Sequence, residues 1–150
     1  MSFTQPSLKG RALRLLSGRE HSRAELERKL QGFEEEPGTL ARTLDELQAK
    51  GFINEARVIE SVLHRRAAKL GTARIKQELQ GKGLDPEAVS EALAGLNATE
   101  LERAQEVWRK KFGTSPADAQ AAAKQMRFLA SRGFGGDVIR KVVAGGSDDL

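Results

Sequence analysis

The apolar positions of this chain recur at helical spacing and in no other period. Leu8, Ala12, Leu15 and Leu16 mark one face of a first helix that stops before Gly18. Ser22 and Glu25 have the spacing of a capping box, and Leu26 and Leu30 lie one turn apart on the helix it starts, which ends at Gly32-Phe33. After the acidic link Glu34-Glu35-Glu36-Pro37, a third helix opens at Pro37 or its neighbour, carries Leu40, Leu44 and Leu47, and closes at Gly51. Asn54 caps the next helix, with Ile59, Val62, Leu63, Ala67 and Leu70 on its apolar face. Gly71-Thr72 breaks the chain before the helix of Ile75 and Leu79. Asp85-Pro86 starts another with Val89, Ala92, Leu93 and Leu96. Thr99 and Glu102 read as a further capping box, opening a helix with Leu101, Ala104, Trp108 and Phe112. Ser115-Pro116 starts a long alanine-rich helix that reaches Leu129. Beyond the Gly133–Gly136 turn, a last helix carries Val138, Ile139, Val142 and Val143.

These elements repeat. A shift of 49 residues carries Ile75, Leu79, Gly81 and Pro86 onto Leu26, Leu30, Gly32 and Pro37. A forward shift of 50 carries Leu79, Gly83, Leu84 and Val89 onto Leu129, Gly133, Phe134 and Ile139. The expected fold is therefore all-α: three tandem three-helix repeats, about nine helices, in an elongated, curved array. The repeats are placed at 7–53, 54–98 and 99–145, with a flexible acidic tail over 146–150. Leu30, Leu79 and Leu129 are expected in the cores, and Gly83 and Gly133 at left-handed helix ends. Phe52 and Phe134, each just after a glycine, are expected to plug the gap between helices of a unit, and Trp108 to pack inward.

Composition narrows the class. Apolar residues make up 39% of the 150 and aromatics 5%, lean for one deep core and suited to a row of small ones. Cysteine is absent, so thiolate metal sites and disulfides are unavailable. No apolar run approaches a membrane span, and the N-terminus lacks the apolar stretch of a signal peptide, so a soluble, cytoplasmic protein is expected. His21 and His64 have no partners at ligand spacing and read as exposed or capping imidazoles. Glu25 and Glu78 read as cap and surface residues. No phosphate-binding glycine motif opens a helix after a strand. The chain is expected not to be an enzyme and to need no cofactor or metal.

Charge changes the picture further. The net charge is +4, and its sign alternates with the repeat: segments 1–33, 55–84 and 107–150 are each +4, while 34–54 and 85–106 are −3 and −5. Stacked in register, such units line up a basic and an acidic stripe. The densest basic cluster is Arg65, Arg66, Lys69, Arg74 and Lys76, within twelve residues that hold no acid. Arg14, Arg28, Arg109, Lys110 and Lys111 are further candidates for the same partner- or DNA-binding stripe. A solvated helix face is the competing reading.

Three stretches carry a resemblance: REHSRAELERKL at 19–30, LGTARIKQELQGKGLDPEAV at 70–89 and RFLASRGFGGDVI at 127–139. In content, order and spacing they resemble the RecX regulatory proteins over about residues 8 to 144. The resemblance implies tandem three-helix repeats and a non-catalytic modulator, usually an inhibitor, of the recombinase RecA. It further implies binding in the groove of the RecA–DNA filament, restraining strand exchange and the filament's stimulation of repressor cleavage. A monomer is expected. Two other readings stand beside it: a sequence-nonspecific DNA binder that lays basic residues on phosphates, and a helical scaffold.

Overall fold

The computed structural model describes residues 5–145, so the acidic tail expected over 146–150 lies outside the described residues, and helix is the only regular structure among them. Eight α-helices follow in order: α1 (Leu8–Gly18), α2 (Arg23–Leu30), α3 (Thr39–Ala49), α4 (Glu55–Arg66), α5 (Thr72–Gly81), α6 (Pro86–Lys111), α7 (Ala119–Ser131) and α8 (Gly136–Gly145). A one-turn 3-10 helix, Gln31–Phe33, finishes α2. The core is divided in three. Leu26, Leu30, Leu44 and Leu47 centre the first cluster, Val58, Val62, Ile75 and Leu79 the second, and Ala104, Leu129, Ile139 and Val143 the third. Leu30, Leu79 and Leu129 are 2%, 0% and 0% exposed, as the repeat requires.

The expected count of nine is corrected to eight because α6 does not break at Thr99. It runs 26 residues, contributing Val89 and Leu96 to the second core and Ala104 to the third. Thr99 turns its hydroxyl back onto the Leu96 carbonyl at 3.3 Å instead of capping a new helix. With no proline in this stretch, continuing the helix keeps the backbone bonds that a new start would forfeit. Gly95 inside it costs only about 1 kcal/mol relative to alanine. Two more expectations are corrected. Helix α7 begins at Ala119 rather than Ser115-Pro116, because Asp118 accepts the Ala121 amide at 2.7 Å and supplies the cap. Phe52 is no plug; it is 45% exposed, and its neighbour Ile53 takes the buried position at 3%. Phe134 is buried, and Trp108 packs at the edge of the third cluster with its Nε1 donating to Gln125 Oε1 at 2.8 Å.

The units join head to tail through their second helices. At the first junction the N-terminus of α2 meets the last turn of α5: Ser22 Oγ donates to the Lys82 carbonyl at 2.6 Å, and Arg28 Nη2 to the Gly81 carbonyl at 2.9 Å. At the second, the N-terminus of α5 meets the last turn of α7. Here Gly71 N donates to the Arg132 carbonyl at 2.7 Å, and Arg74 Nη1 to the Ser131 carbonyl at 2.7 Å. Gly83 (φ 65°) and Gly133 (φ 90°) turn the chain at the two contacts. The approach is close enough that a Cβ on Gly71 would fall 2.3 Å from the Gly133 carbonyl carbon. Glycine at 71 forgoes the side-chain cap that Ser22 gives α2. Glu100 replaces it, accepting the Thr72 amide at 3.0 Å. Arg103, half-buried on α6, ties the end of α4 down by donating to the Ala67 and Leu70 carbonyls at 2.9 and 2.7 Å.

Candidate functional site

Among the described residues, no group of His, Asp or Glu is placed to hold a metal ion, and no helix is long and apolar enough to cross a membrane. Charges left without partners mark the candidate surface. Two features expected to be superficial are instead buried. Glu25 is 6% exposed and His21 2%. Glu25 completes the capping box through the Ser22 amide at 3.1 Å and holds Arg19 at 2.7 Å and Lys82 at 3.1 Å. Burial pushes its carboxyl upward, but the hydrogen bonds from Arg19, the Ser22 amide and Lys82 outweigh it and hold the pKa at about 2. His21 places Nδ1 3.0 Å from the Arg19 carbonyl and Nε2 3.1 Å from Lys29 Nζ. Nδ1 therefore carries the proton and Nε2 accepts from the ammonium. Burial, and secondarily the charges of Arg19 and Lys29, lower its pKa. Glu25 serves the first junction through Lys82, while His21 ties Arg19 to Lys29 within the first unit.

The basic residues singled out in the sequence differ in how they are held. Several are used inside the molecule. Arg28 and Arg74 hold the junction carbonyls described above. Arg66 lies between α4 and α5 with Nη2 3.4 Å from Glu78 Oε1, so Glu78 is an internal partner rather than a bare surface acid. Arg109 binds Glu106 through both oxygens, at 2.6 and 3.0 Å. Arg65 is exposed on the last turn of α4. Lys76 lines a shallow groove between α5 and α6 with Leu84, Val89 and Leu93, and Arg14 lines another in the first unit.

Lys69, Lys110 and Lys111 do come together. They line a cleft of about 470 Å³ at the second junction, with Ala68, Val107, Phe128 and Arg132. The turn after α4 brings Lys69, the last turn of α6 brings the lysine pair, and the C-cap of α7 brings Arg132. Phe128 is the common floor: Arg132 lies 4.9 Å and Lys111 5.3 Å from its ring centroid, and Phe112 meets it edge-on at 5.5 Å. Among the described residues no carboxylate lines the cleft, and only Lys110 has one near, Glu106 at 3.8 Å. Four cations thus converge on one concavity, where their fields add.

The first junction has a counterpart, built from Glu20 in the turn after α1 and the face of α4, and its charges are mixed. Glu20, Arg57, Glu60, Ser61 and His64 line it, and Arg57 Nε is bound to Glu20 Oε1 at 2.9 Å. The same joint therefore sets two carboxylates against one arginine in one case and gathers four cations in the other. Arg132 and Phe128 escaped the reading of the sequence. Their signal lay in the repeat itself, since Arg132 stands one residue before Gly133 as Lys82 stands before Gly83.

Comparison with known proteins accounts for the whole array. Residues 9–47, 54–93 and 98–143 match the family descriptions "RecX, first three-helix domain", "second" and "third" respectively. A "Regulatory protein RecX" from Leptothrix cholodnii is 56% identical over 139 residues, covering 93% of this chain and 88% of the relative. One from Herminiimonas arsenicoxydans is 50% identical over 134 residues, covering 89% of each. Among solved structures, RecX from Lactobacillus salivarius superposes with a TM-score of 0.75 over 93% of this chain and 94% of its own, at 21% identity.

Proposed function

The chain belongs to the RecX family, and we propose that it is a non-catalytic, cytoplasmic regulator that binds the RecA recombinase filament as a monomer and restrains strand exchange and repressor cleavage. The relatives' name, regulatory protein, supports the coarse role, and the resemblance noted in the sequence supplies the partner. The observation that carries a contact surface is the cationic cleft. A filament of protein on DNA offers phosphates and acidic side chains. Lys69, Lys111 and Arg132 meet such a surface with no ion pair of their own to release among the described residues, and Lys110 gives up only a loose one, 3.8 Å from Glu106. A continuous α6 holds Lys110 and Lys111 at a fixed distance from the second core, so the cleft is presented by a stiff element rather than a loop.

The same cleft keeps a second reading open, in which the chain binds DNA directly and without sequence preference, by phosphate contact. Titrating the chain with DNA alone, RecA alone and the assembled filament separates the two. A regulator of the filament binds the filament far more tightly than either component. Equal affinity for bare DNA and the filament would favour the second reading.

A further inference from the structure

A second concavity, of about 330 Å³, lies in the first unit between α1 and the end of α2, and it differs in character from the cleft. Its volume falls within the range of about 300–1,000 Å³ typical of ligand pockets. Leu15, Leu30 and Phe33 give it apolar lining, and Arg11, Arg14 and Lys29 stand around it; no carboxylate lines it. Phe33 is 48% exposed, one of two large apolar side chains so exposed among the described residues. It sits on the 3-10 turn that contributes nothing to the buried core, so the fold gains little by keeping an aromatic there.

Two of the three cations around Phe33 are held in place, and none of the three is neutralised among the described residues. The Arg11 guanidinium stacks on the Phe33 ring at 3.8 Å and donates to Gln5 Oε1 at 3.2 Å, a neutral partner. Lys29 donates to the neutral Nε2 of His21. Arg14 makes no ion pair among the described residues. Elsewhere in the unit Lys9, Arg19, Arg23 and Lys50 each hold a carboxylate. Three cations beside an apolar wall, two of them held in position, ask for two things at once: carboxylates, and an apolar group to cover Phe33 and Leu15. A single-stranded nucleic acid also supplies negative charge and a base to stack on an aromatic ring. The aliphatic Leu15 and Leu30 beside Phe33, however, suit an apolar side chain, which makes an acidic protein segment the favoured occupant.

We propose that this groove docks an acidic segment of a partner protein that carries a large apolar side chain. That side chain lies against Phe33, Leu15 and Leu30, and its flanking carboxylates meet Arg11, Arg14 and Lys29. The site is in a different unit from the cationic cleft and stands or falls separately from it.

The test uses the full chain and a fluorescein-labelled peptide of Asp and Glu residues around one central Phe. A matched peptide with Ala at the centre and an oligothymidylate of equal charge serve as comparisons. The Phe-centred peptide is expected to bind, shifting amide resonances of residues 10–15 and 29–33. Phe33→Ala and Arg14→Glu should each weaken it by about tenfold or more, as loss of a hot-spot residue does, with the melting temperature unchanged because both side chains are exposed. Central Ala should weaken it similarly, and Lys124→Glu, at an exposed lysine of α7 outside both concavities, should not. The proposal is overturned if the Phe-centred peptide does not bind, if it binds equally well with Ala, or if both groove variants leave it unaffected. It is also overturned if those variants weaken oligothymidylate by the same factor, which would make the groove a nucleic-acid surface.

Discussion

Lys82 Nζ lies 3.1 Å from Oε1 of Glu25, a residue 57 positions earlier in the chain, and both side chains are about nine-tenths buried. The contact turns a helix cap into a joint. Glu25 would satisfy the start of α2 in an isolated unit, and here the same carboxylate also neutralises the last turn of α5. Removing it leaves Lys82 buried without an anion. Glu25→Ala is therefore expected to destabilise by about 3–5 kcal/mol, well beyond the ~1 kcal/mol of a lost cap, measured by urea denaturation. A loss near 1 kcal/mol would mean that Lys82 swings out to water and the joint does not depend on the pair.

The same joint sets a pH dependence. Glu25 titrates at about 2 in the folded chain against an ordinary 4.5, so the unfolded chain takes the proton first. Its contribution, of order 3 kcal/mol, is complete above pH 4.5 and is lost as the pH falls from there toward 2. His21 acts in the same direction at higher pH. Its folded pKa lies below the ordinary 6.5, so the unfolded chain binds that proton first and stability declines as the pH drops below 6.5. Protonation would also set Nε2–H against the Lys29 ammonium. Melting temperatures should fall in two stages on acidification. His21→Gln should remove the upper stage and Glu25→Ala the lower.

Leu79 is fully buried in the middle unit, and Leu79→Ala should cost about 2–5 kcal/mol through lost burial and the cavity left behind. The continuous α6 gives the loss a direction. Because Val89, Leu96 and Ala104 ride on one helix, hydrogen exchange should quicken in the third unit as well as the second, and least around Leu44. Uniform quickening across the chain would instead indicate a single cooperative unit.

Three glycines separate backbone strain from crowding. Gly133 has φ 90°, and an added Cβ would lie 2.2 Å from Arg74 Cγ. Gly51 has φ 83° with open space, and Gly81 is helical with open space. Gly133→Ala should cost most, Gly51→Ala about 1 kcal/mol or somewhat more, and Gly81→Ala should be neutral or stabilising by up to about 1 kcal/mol. Thermal melts of the three variants check the order.

For the cleft, reversing Lys69, Lys110 and Lys111 to Glu is expected to leave helicity and melting nearly unchanged, since exposed charges contribute little to stability. It should weaken filament binding severely, slow association by something like 10–10³-fold at low salt, and flatten its salt dependence. Arg109→Glu should do much less, because that guanidinium is already held by Glu106. A triple variant that restrains RecA-driven strand exchange as well as the parent would reduce the cleft to a solvated face.

The sequence by itself determined the helical class, the threefold repeat, the family, the core leucines and the glycine turns. These are local matters: apolar residues one turn apart define a buried face, and a glycine after it defines the stop, wherever the unit sits. Tertiary structure decided the rest, because the remaining questions concern residues far apart in sequence. Thr99 and Glu102 spell a helix start, yet α6 runs through them because both of its halves have a core to pack against. Arg66, Arg28 and Arg74 look like free cations in sequence, but a partner 12 to 57 residues away takes up each one. Lys69 meets Lys110, Lys111 and Arg132 only because the second and third units join head to tail at Gly71 and Gly133. A one-dimensional charge count records how many cations the chain has. Which of them remain unpaired depends on the carboxylates and carbonyls that folding brings within about 3 Å, and that is set by how the units dock.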